Sequence, residues 1–247
     1  MKNNFYFKEP FLNIYKLPDI RSEVTSQILY GERFKILSKR KGWIKIKSLY
    51  DRYTGFIKDK KYVKELKISH KVSNIQAKIF NKPNVKTKKN LYFGSKLSVI
   101  EQRNGFVKFE KNRWVKLKDI KKITHKEKNF IKIFKLFLKT KYFWGGKTNK
   151  GIDCSALLQI FFYYNNLFYP RDTKDQINFF IKKISKKFKK GDIIFWKGHV
   201  AICINSKQLI HAYGPEKRVI IMPINKTIKM ILDTANLKVR KISKINF

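Results

Sequence analysis

The stretch Tyr142-Phe143-Trp144-Gly145-Gly146-Lys147-Thr148-Asn149-Lys150-Gly151-Ile152-Asp153-Cys154-Ser155 ends in a cysteine at the threshold of an apolar run, Cys154 to about Tyr164, that reads as a helix. A glycine-rich loop thus delivers a thiol to a helix N-terminus, where free N–H groups and a partial positive charge favour thiolate over thiol. Gly146-Lys147-Thr148 is not a phosphate-binding loop, because the first glycine of such a loop would fall at Lys141. A cysteine nucleophile needs a base within hydrogen-bond reach and a group that orients the base. His199 opens one predicted strand and His211 lies in the next, joined through Asn205-Ser206-Lys207. With those three residues as the loop, Ile204 faces Gln208 and Ala201 faces His211, so both imidazoles share one sheet face. A two-residue loop would put them on opposite faces.

Working outward, apolar residues at 130, 131, 133, 134, 137 and 138 predict an amphipathic helix before the loop. After it, Thr173 and Gln176 form a capping-box pattern for a helix through Lys182. The remainder is strand-like: Asp192 to Trp196, His199 to Ile204, Gln208 to Tyr213 and Arg218 to Met222. Helices followed by consecutive strands are the α+β pattern. The first half repeats itself. A shift of 63 residues lays Phe34-Lys35-Ile36-Leu37 on Leu97-Ser98-Val99-Ile100, and Gly42-Trp43-Ile44-Lys45-Ile46 on Gly105-Phe106-Val107-Lys108-Phe109. Short β-branched and aromatic runs with regular glycine turns predict two small all-β barrels or sandwiches. The expected boundaries are residues 1–66, 67–124 and 125–247.

The chain has 247 residues, 43% of them hydrophobic and 15% aromatic, which is ample for packed cores. Its apolar runs fall short of the roughly 18–20 residues that span a bilayer, so no membrane span is expected. Residues 1–16 mix Lys2, Lys8 and Glu9 among apolar positions, and no secretory signal is read there. The formal net charge is +41, from 58 Lys and Arg against 17 Asp and Glu. Residues 1–123 carry +22 and residues 124–247 carry +19, so the excess is uniform and forms no nucleic-acid patch. Forty-nine of the basic residues are Lys and nine are Arg, whereas a bidentate fork for phosphate or guanine needs Arg. No specific nucleic-acid partner is expected. Cys154 and Cys203 are too few for a disulfide framework. On a strand, His199 and Cys203 lie about 13 Å apart, too far to share a metal. Neither a metal nor a cofactor is expected. Cys203 reads as inert core, and His70 and His125 read as solvated linker residues.

Phe143-Trp144-Gly145-Gly146, Gly151-Ile152-Asp153-Cys154-Ser155, Pro170-Arg171-Asp172-Thr173 with Gln176, Gly191-Asp192, His199-Val200-Ala201-Ile202 and Leu209-Ile210-His211-Ala212 occur in an order that resembles the NlpC-type papain-like cysteine peptidases over residues 125–225. The repeats resemble the paired bacterial SH3-like domains that precede this catalytic domain in one branch of that family. The resemblance implies a papain-like domain, helices packed on an antiparallel sheet, behind two small SH3-like barrels. It further implies cleavage of bacterial cell-wall peptides after γ-D-glutamate, on substrates with a free N-terminal L-alanine. Carried over, Cys154 is the nucleophile, His199 the general base and acid, and His211 the residue that holds His199. Asp153, Ser155, Asp172 and Thr173 would contact the alanyl-glutamyl portion, Thr173 standing where Ser is more usual, and Tyr142 would line the site. Leu29-Tyr30-Gly31-Glu32 and Asp51-Arg52-Tyr53-Thr54-Gly55 are shared with that branch. Glu32 would pair with the substrate ammonium and Tyr53 would contact the substrate, and Ser95, at the place of Glu32 in the second copy, would not contribute.

Three functions follow from these readings. The first is a cytoplasmic, monomeric dipeptidyl-peptidase that recycles muropeptides. The second is an exported endopeptidase with the same chemistry. The third is a noncatalytic SH3-like binder of wall peptide or anionic polymer.

Overall fold

The computed structural model describes residues 4–183 and 187–245. Two compact units divide the chain: residues 1–126 with 163–166, and residues 127–162 with 167–247.

The first unit holds both copies of the repeat. In the first copy, β1 (Asn4–Phe7), β2 (Phe11–Tyr15), β3 (Val24–Leu29), β4 (Arg33–Arg40), β5 (Trp43–Ser48), β6 (Thr54–Lys58) and β7 (Tyr62–Val63) form one sheet in the order β3-β2-β6-β5-β4-β1-β7. Strand alternation sends Ile44, Ile46 and Ile57 into a core with Phe7, Ile14 and Phe34, leaving Lys45, Phe56 and Lys58 on the outer face. The second copy comprises β8 (His70–Val72), β9 (Gln76–Lys82), β10 (Val85–Tyr92), β11 (Lys96–Leu97), β12 (Glu101–Arg103), β13 (Phe106–Glu110), β14 (Arg113–Lys116) and β15 (Ile120–Lys122). These divide into sheets ordered β10-β9-β14-β13-β12 and β11-β8-β15.

Strand pairing repeats between the copies. Trp43 lies between Arg40 and Lys58, as Phe106 lies between Arg103 and Lys116. The next row runs Ser38, Lys45, Phe56, Tyr15 in one copy and Glu101, Lys108, Trp114, Phe80 in the other. Glycine fixes one shared turn: Gly31 and Gly94 have φ of 76° and 81°. A Cβ on Gly31 would stand 1.8 Å from the Lys96 carbonyl oxygen, so a side chain is excluded on both counts. Tyr30, beside it, is fully buried in the core of the second copy with Val72, Leu91, Val107 and Phe109. His70 is not a linker residue: it opens β8, half-buried, with Nδ1 2.9 Å from Ser69 Oγ, and burial lowers its pKa. His125 is exposed.

The second unit contains α1 (Phe130–Leu136), the short hairpin β16 (Lys147–Thr148) and β17 (Gly151–Ile152), α2 (Cys154–Tyr164), α3 (Thr173–Gln176), β18 (Asp192–Trp196), β19 (His199–Cys203), β20 (Gln208–Tyr213), β21 (Arg218–Pro223), α4 (Ile224–Ala235) and β22 (Lys241–Lys244). The last turn of α2 is shared with the first unit. Every residue of α2 is buried, as its largely apolar sequence requires, with Ser155 and Gln159 its buried polar residues. The sheet is antiparallel in the order β21-β20-β19-β18-β22. Ile224 and Ile231 of α4 pack with Ile194, Ala201, Cys203 and Leu209, which makes Cys203 a core residue.

Two expectations need correction here. The segment after Thr173 is a single helical turn with Asp172 at its N-cap and no side-chain cap bond, not a helix through Lys182. Gln176 is not a capping partner: its amide is buried and donates to the carbonyls of Ser155 (3.0 Å) and Pro170 (2.8 Å). Bonding to the start of α2 won over local capping. The residues after Met222 are also not uniformly strand-like, since α4 presents Ile224, Thr227 and Ile231 to the core at helical spacing.

Candidate active site

Asp153 starts α2. Its Oδ1 accepts the Ala156 N–H at 2.8 Å, which satisfies one of the free donors of the helix N-terminus. The same carboxylate takes a two-pronged ion pair from the buried Arg171, with Nη1 to Oδ1 at 3.1 Å and Nη2 to Oδ2 at 2.6 Å. Ser155 Oγ donates to Oδ1 at 3.0 Å and accepts from Arg171 Nη1 at 2.8 Å, while Gly145 N–H donates to Oδ2 at 2.9 Å. Asp153 thus serves five donors inside the protein, close to the capacity of a carboxylate. Its work is to lock the glycine loop, the helix start and the Pro170–Arg171 segment around the residue between Asp153 and Ser155.

That residue is Cys154, which is 3% exposed. Its Sγ accepts the N–H groups of Val200 and Ser155, and lies 4.0 Å from the Gly198 carbonyl, so the thiol rests against the start of β19. Burial pushes the thiol up to about 12, and the Asp153 charge adds to this, outweighing the two N–H donors. Desolvation is thus a larger effect here than the pull of the helix N-terminus toward thiolate.

The β19–β20 register resolves the condition on the histidines. Ile202 pairs with Ile210 and Cys203 with Leu209, and Ile204 N–H bonds the Gln208 carbonyl at 2.9 Å, so the loop is Asn205-Ser206-Lys207. His199 Nε2 stands 2.9 Å from His211 Nδ1. Trp196 and Tyr213 flank the pair, with the Tyr213 ring stacked on His211 at 4.8 Å. His211 Nε2 lies 3.3 Å from Met222 Sδ. Enclosure lowers His199 to about 4, and burial together with His199 lowers His211 further below the ordinary imidazole value. Burial thus favours the neutral form of the thiol and of both imidazoles.

Asp172 and Thr173 are half-buried at the start of α3, and burial raises the Asp172 pKa against the opposing pull of Arg171 and Lys174. The Tyr142 phenol is close enough for Cys154 and Asp153 to act on it, and burial first, then those charges, keeps it protonated. Glu32 and Tyr53 lie in the first unit. There Glu32 is buried and its Oε2 accepts the Leu29 N–H at 2.7 Å. Arg171, Gln176, Val200 and Met222 were not marked as site residues by the sequence. Arg171 stood in a recognised block, but nothing in a linear pattern shows which carboxylate it faces.

Residues 139–232 match the NlpC/P60 family, and residues 14–61 match the bacterial dipeptidyl-peptidase SH3 domain. The chain thus carries an NlpC/P60 peptidase domain of papain-like fold behind an N-terminal bacterial SH3 domain. It is 26% identical over 229 residues to dipeptidyl-peptidase 6 of Lysinibacillus sphaericus, covering 81% of this chain and 84% of that one. It is 31% identical over 105 residues to the γ-D-glutamyl-L-lysine dipeptidyl-peptidase of Bacillus cereus, covering 39% of this chain and 32% of that one. The crystal structure of an NlpC/P60 family protein from Bacillus cereus superposes with a TM-score of 0.81 at 17% identity, over 98% of this chain and 99% of that one.

Proposed function

We propose that this protein is a cysteine peptidase that hydrolyses the bond between γ-D-glutamate and the following diamino acid in murein peptides with a free N-terminal L-alanine, releasing L-Ala-D-Glu in cell-wall recycling. The observation that carries the chemistry is the 2.9 Å bond between His199 Nε2 and His211 Nδ1. That bond leaves His199 Nδ1 for the thiol. In the proposed cycle, the Cys154 proton passes to His199 as sulfur attacks the γ-glutamyl carbonyl, with His211 stabilising the imidazolium through Nδ1. The imidazolium then protonates the departing amine. Water, deprotonated by His199, hydrolyses the thioester and restores the thiol. The protonated Tyr142 phenol is a suitable donor to the developing oxyanion. Asp153 and Ser155 act by holding the loop and helix, and Asp172 and Thr173 supply polar groups to the glutamyl portion.

Selection for the free amine is assigned to Glu32, with Tyr53 contacting the substrate, on the family resemblance, and the second copy is proposed to be a further SH3-like module. The test is incubation of wild type and Cys154→Ala with L-Ala-γ-D-Glu-diamino-acid peptides, free and N-acetylated. Release of L-Ala-D-Glu from the free-amine peptide by wild type alone supports the reading. Equal cleavage of both peptides overturns amine selection, and product release by Cys154→Ala overturns the nucleophile. Glu32→Gln keeps an acceptor for the Leu29 N–H and should narrow the preference for the free amine.

A further inference from the structure

The outer face of the first copy carries a groove of about 590 Å³ running from Pro18 to the β4–β5 hairpin. Trp43 and Phe56 form its apolar wall, and Arg40, Lys41 and Lys45 supply its charge, with Ser38 as the remaining polar group. The cations are placed on the rings: Lys45 Nζ is 5.6 Å from the Phe56 centroid, and Lys58 Nζ 4.1 Å from that of Trp43. No carboxylate lines the groove. Asp19 and Asp59 are engaged elsewhere: Asp19 bonds Arg21 at 3.0 Å, and Asp59 pairs with Lys39 at 3.6 Å.

The second copy shows what this arrangement takes. Its equivalent face repeats the Arg–aromatic–Lys row and the Lys–aromatic row residue for residue, with Phe80, Phe106 and Trp114 clustered on it. Lys41 of the groove corresponds to Asn104, and beside the paired lysine one difference adds a carboxylate. Where the first copy has Ser38 opposite Lys45, the second has Glu101 opposite Lys108, and that carboxylate reaches the ammonium at 3.2 Å. Lys108 in turn lies over the Trp114 ring at 5.6 Å. The second copy therefore carries its own carboxylate on the lysine, and the first leaves the same lysine to a group from outside.

We propose that the groove of the first copy is a docking site for an acidic peptide segment, whose carboxylates take on Lys45 and Arg40 the place Glu101 takes on Lys108. Its apolar side chains or backbone would lie along Trp43, Phe56 and Pro18. A groove of this size holds a few residues, and charge would speed their capture. The site stands apart from the peptidase reaction and does not depend on it.

The charge of this chain will attract any anion, so the test relies on exchanging one residue between the copies. Fluorinated tryptophan at Trp43 reports binding by NMR, and calorimetry gives stoichiometry, both with a synthetic hexaglutamate peptide at physiological salt. Wild type should bind one equivalent with a shift at Trp43. Ser38→Glu, which installs the second copy's residue, should weaken binding at least tenfold while leaving peptidase activity unchanged. Glu101→Ser should raise the stoichiometry to two. Unaltered affinity in Ser38→Glu, or unaltered stoichiometry in Glu101→Ser, overturns the proposal. So does a polyphosphate chain of matched charge that displaces hexaglutamate and binds Ser38→Glu as tightly as wild type.

Discussion

Lys8 and Lys71 stand 63 residues apart, at the same position of the two copies, and both are buried, yet they meet different surroundings. Lys8 is ion-paired with Glu110 and donates to the Tyr30 hydroxyl at 2.7 Å. Lys71 donates to two backbone carbonyls, His125 at 2.6 Å and Tyr164 at 2.5 Å. Tyr164 ends α2, so its carbonyl is one of the acceptors a helix terminus leaves unpaired, and a cation there is favoured by the helix dipole. Without a carboxylate, burial and the nearby Lys126 and Lys96 lower Lys71 to about 8. A duplicated module has kept its glycine turn and strand register while reassigning the partner of one buried cation. Backbone geometry is the conserved part of the repeat, and charge is the part free to diverge.

The strongest way to break this contrast is Lys8→Met. It leaves Glu110, which is 11% exposed, with Arg113 at 3.0 Å and the Tyr30 hydroxyl at 3.0 Å, and should cost about 2–3 kcal/mol, somewhat less than the loss of a sole buried partner. Urea unfolding of wild type and variant measures it; a change below about 0.5 kcal/mol would show that the ion pair is dispensable.

Lys71→Met should instead reveal a pH dependence. Between about 8 and the ordinary lysine value of 10.5, the unfolded chain keeps a proton that folded Lys71 has shed. This group's contribution to stability therefore rises with pH across that window and is flat below it. The wild-type-minus-variant stability difference should grow by on the order of 1 kcal/mol from pH 8 to 10.5. A difference independent of pH would mean that Lys71 retains its ordinary affinity for protons.

The smallest effect concerns Glu32 and Ser95. Glu32 Oε2 bonds the Leu29 N–H at 2.7 Å, and Ser95 Oγ bonds the Tyr92 N–H at 3.2 Å, the same bridge across the same glycine turn. Glu32→Ala and Ser95→Ala should each cost about 1 kcal/mol by leaving a buried N–H without its acceptor. Matching losses in thermal unfolding would establish a shared structural duty, leaving charge as what Glu32 has and Ser95 lacks. A much larger loss for Glu32→Ala would assign that carboxylate a heavier role in the fold.

The sequence made local structure legible wherever one period dominated. The run Cys154 to Tyr164 has the bounds of α2, and a three-residue loop was enough to bring His199 and His211 together. Interactions between distant segments were not legible. The Arg171–Asp153 pair joins residues 18 apart, and Gln176 reaches 21 residues back to Ser155, overriding the local capping pattern at Thr173. The burial of the thiol was not legible for the same reason: the favourable dipole is visible in sequence, whereas the desolvation that opposes it belongs to the assembled fold. Lengthening one copy by five residues, Leu49 to Tyr53, where the other has the short turn Lys111–Asn112, also becomes clear only from the strand pairing.

Tyr30 bears on how the first half of the chain comes apart. Its ring belongs to the first copy by sequence and to the second copy's core by packing, lying edge-on to Phe109 at 5.4 Å. Withdrawing the first copy would open a hole the size of a phenol in the second, a loss of the order that large-to-small core replacements produce. The two copies are therefore expected to behave as one cooperative body and to melt in a single calorimetric transition, with neither left native after the other has gone.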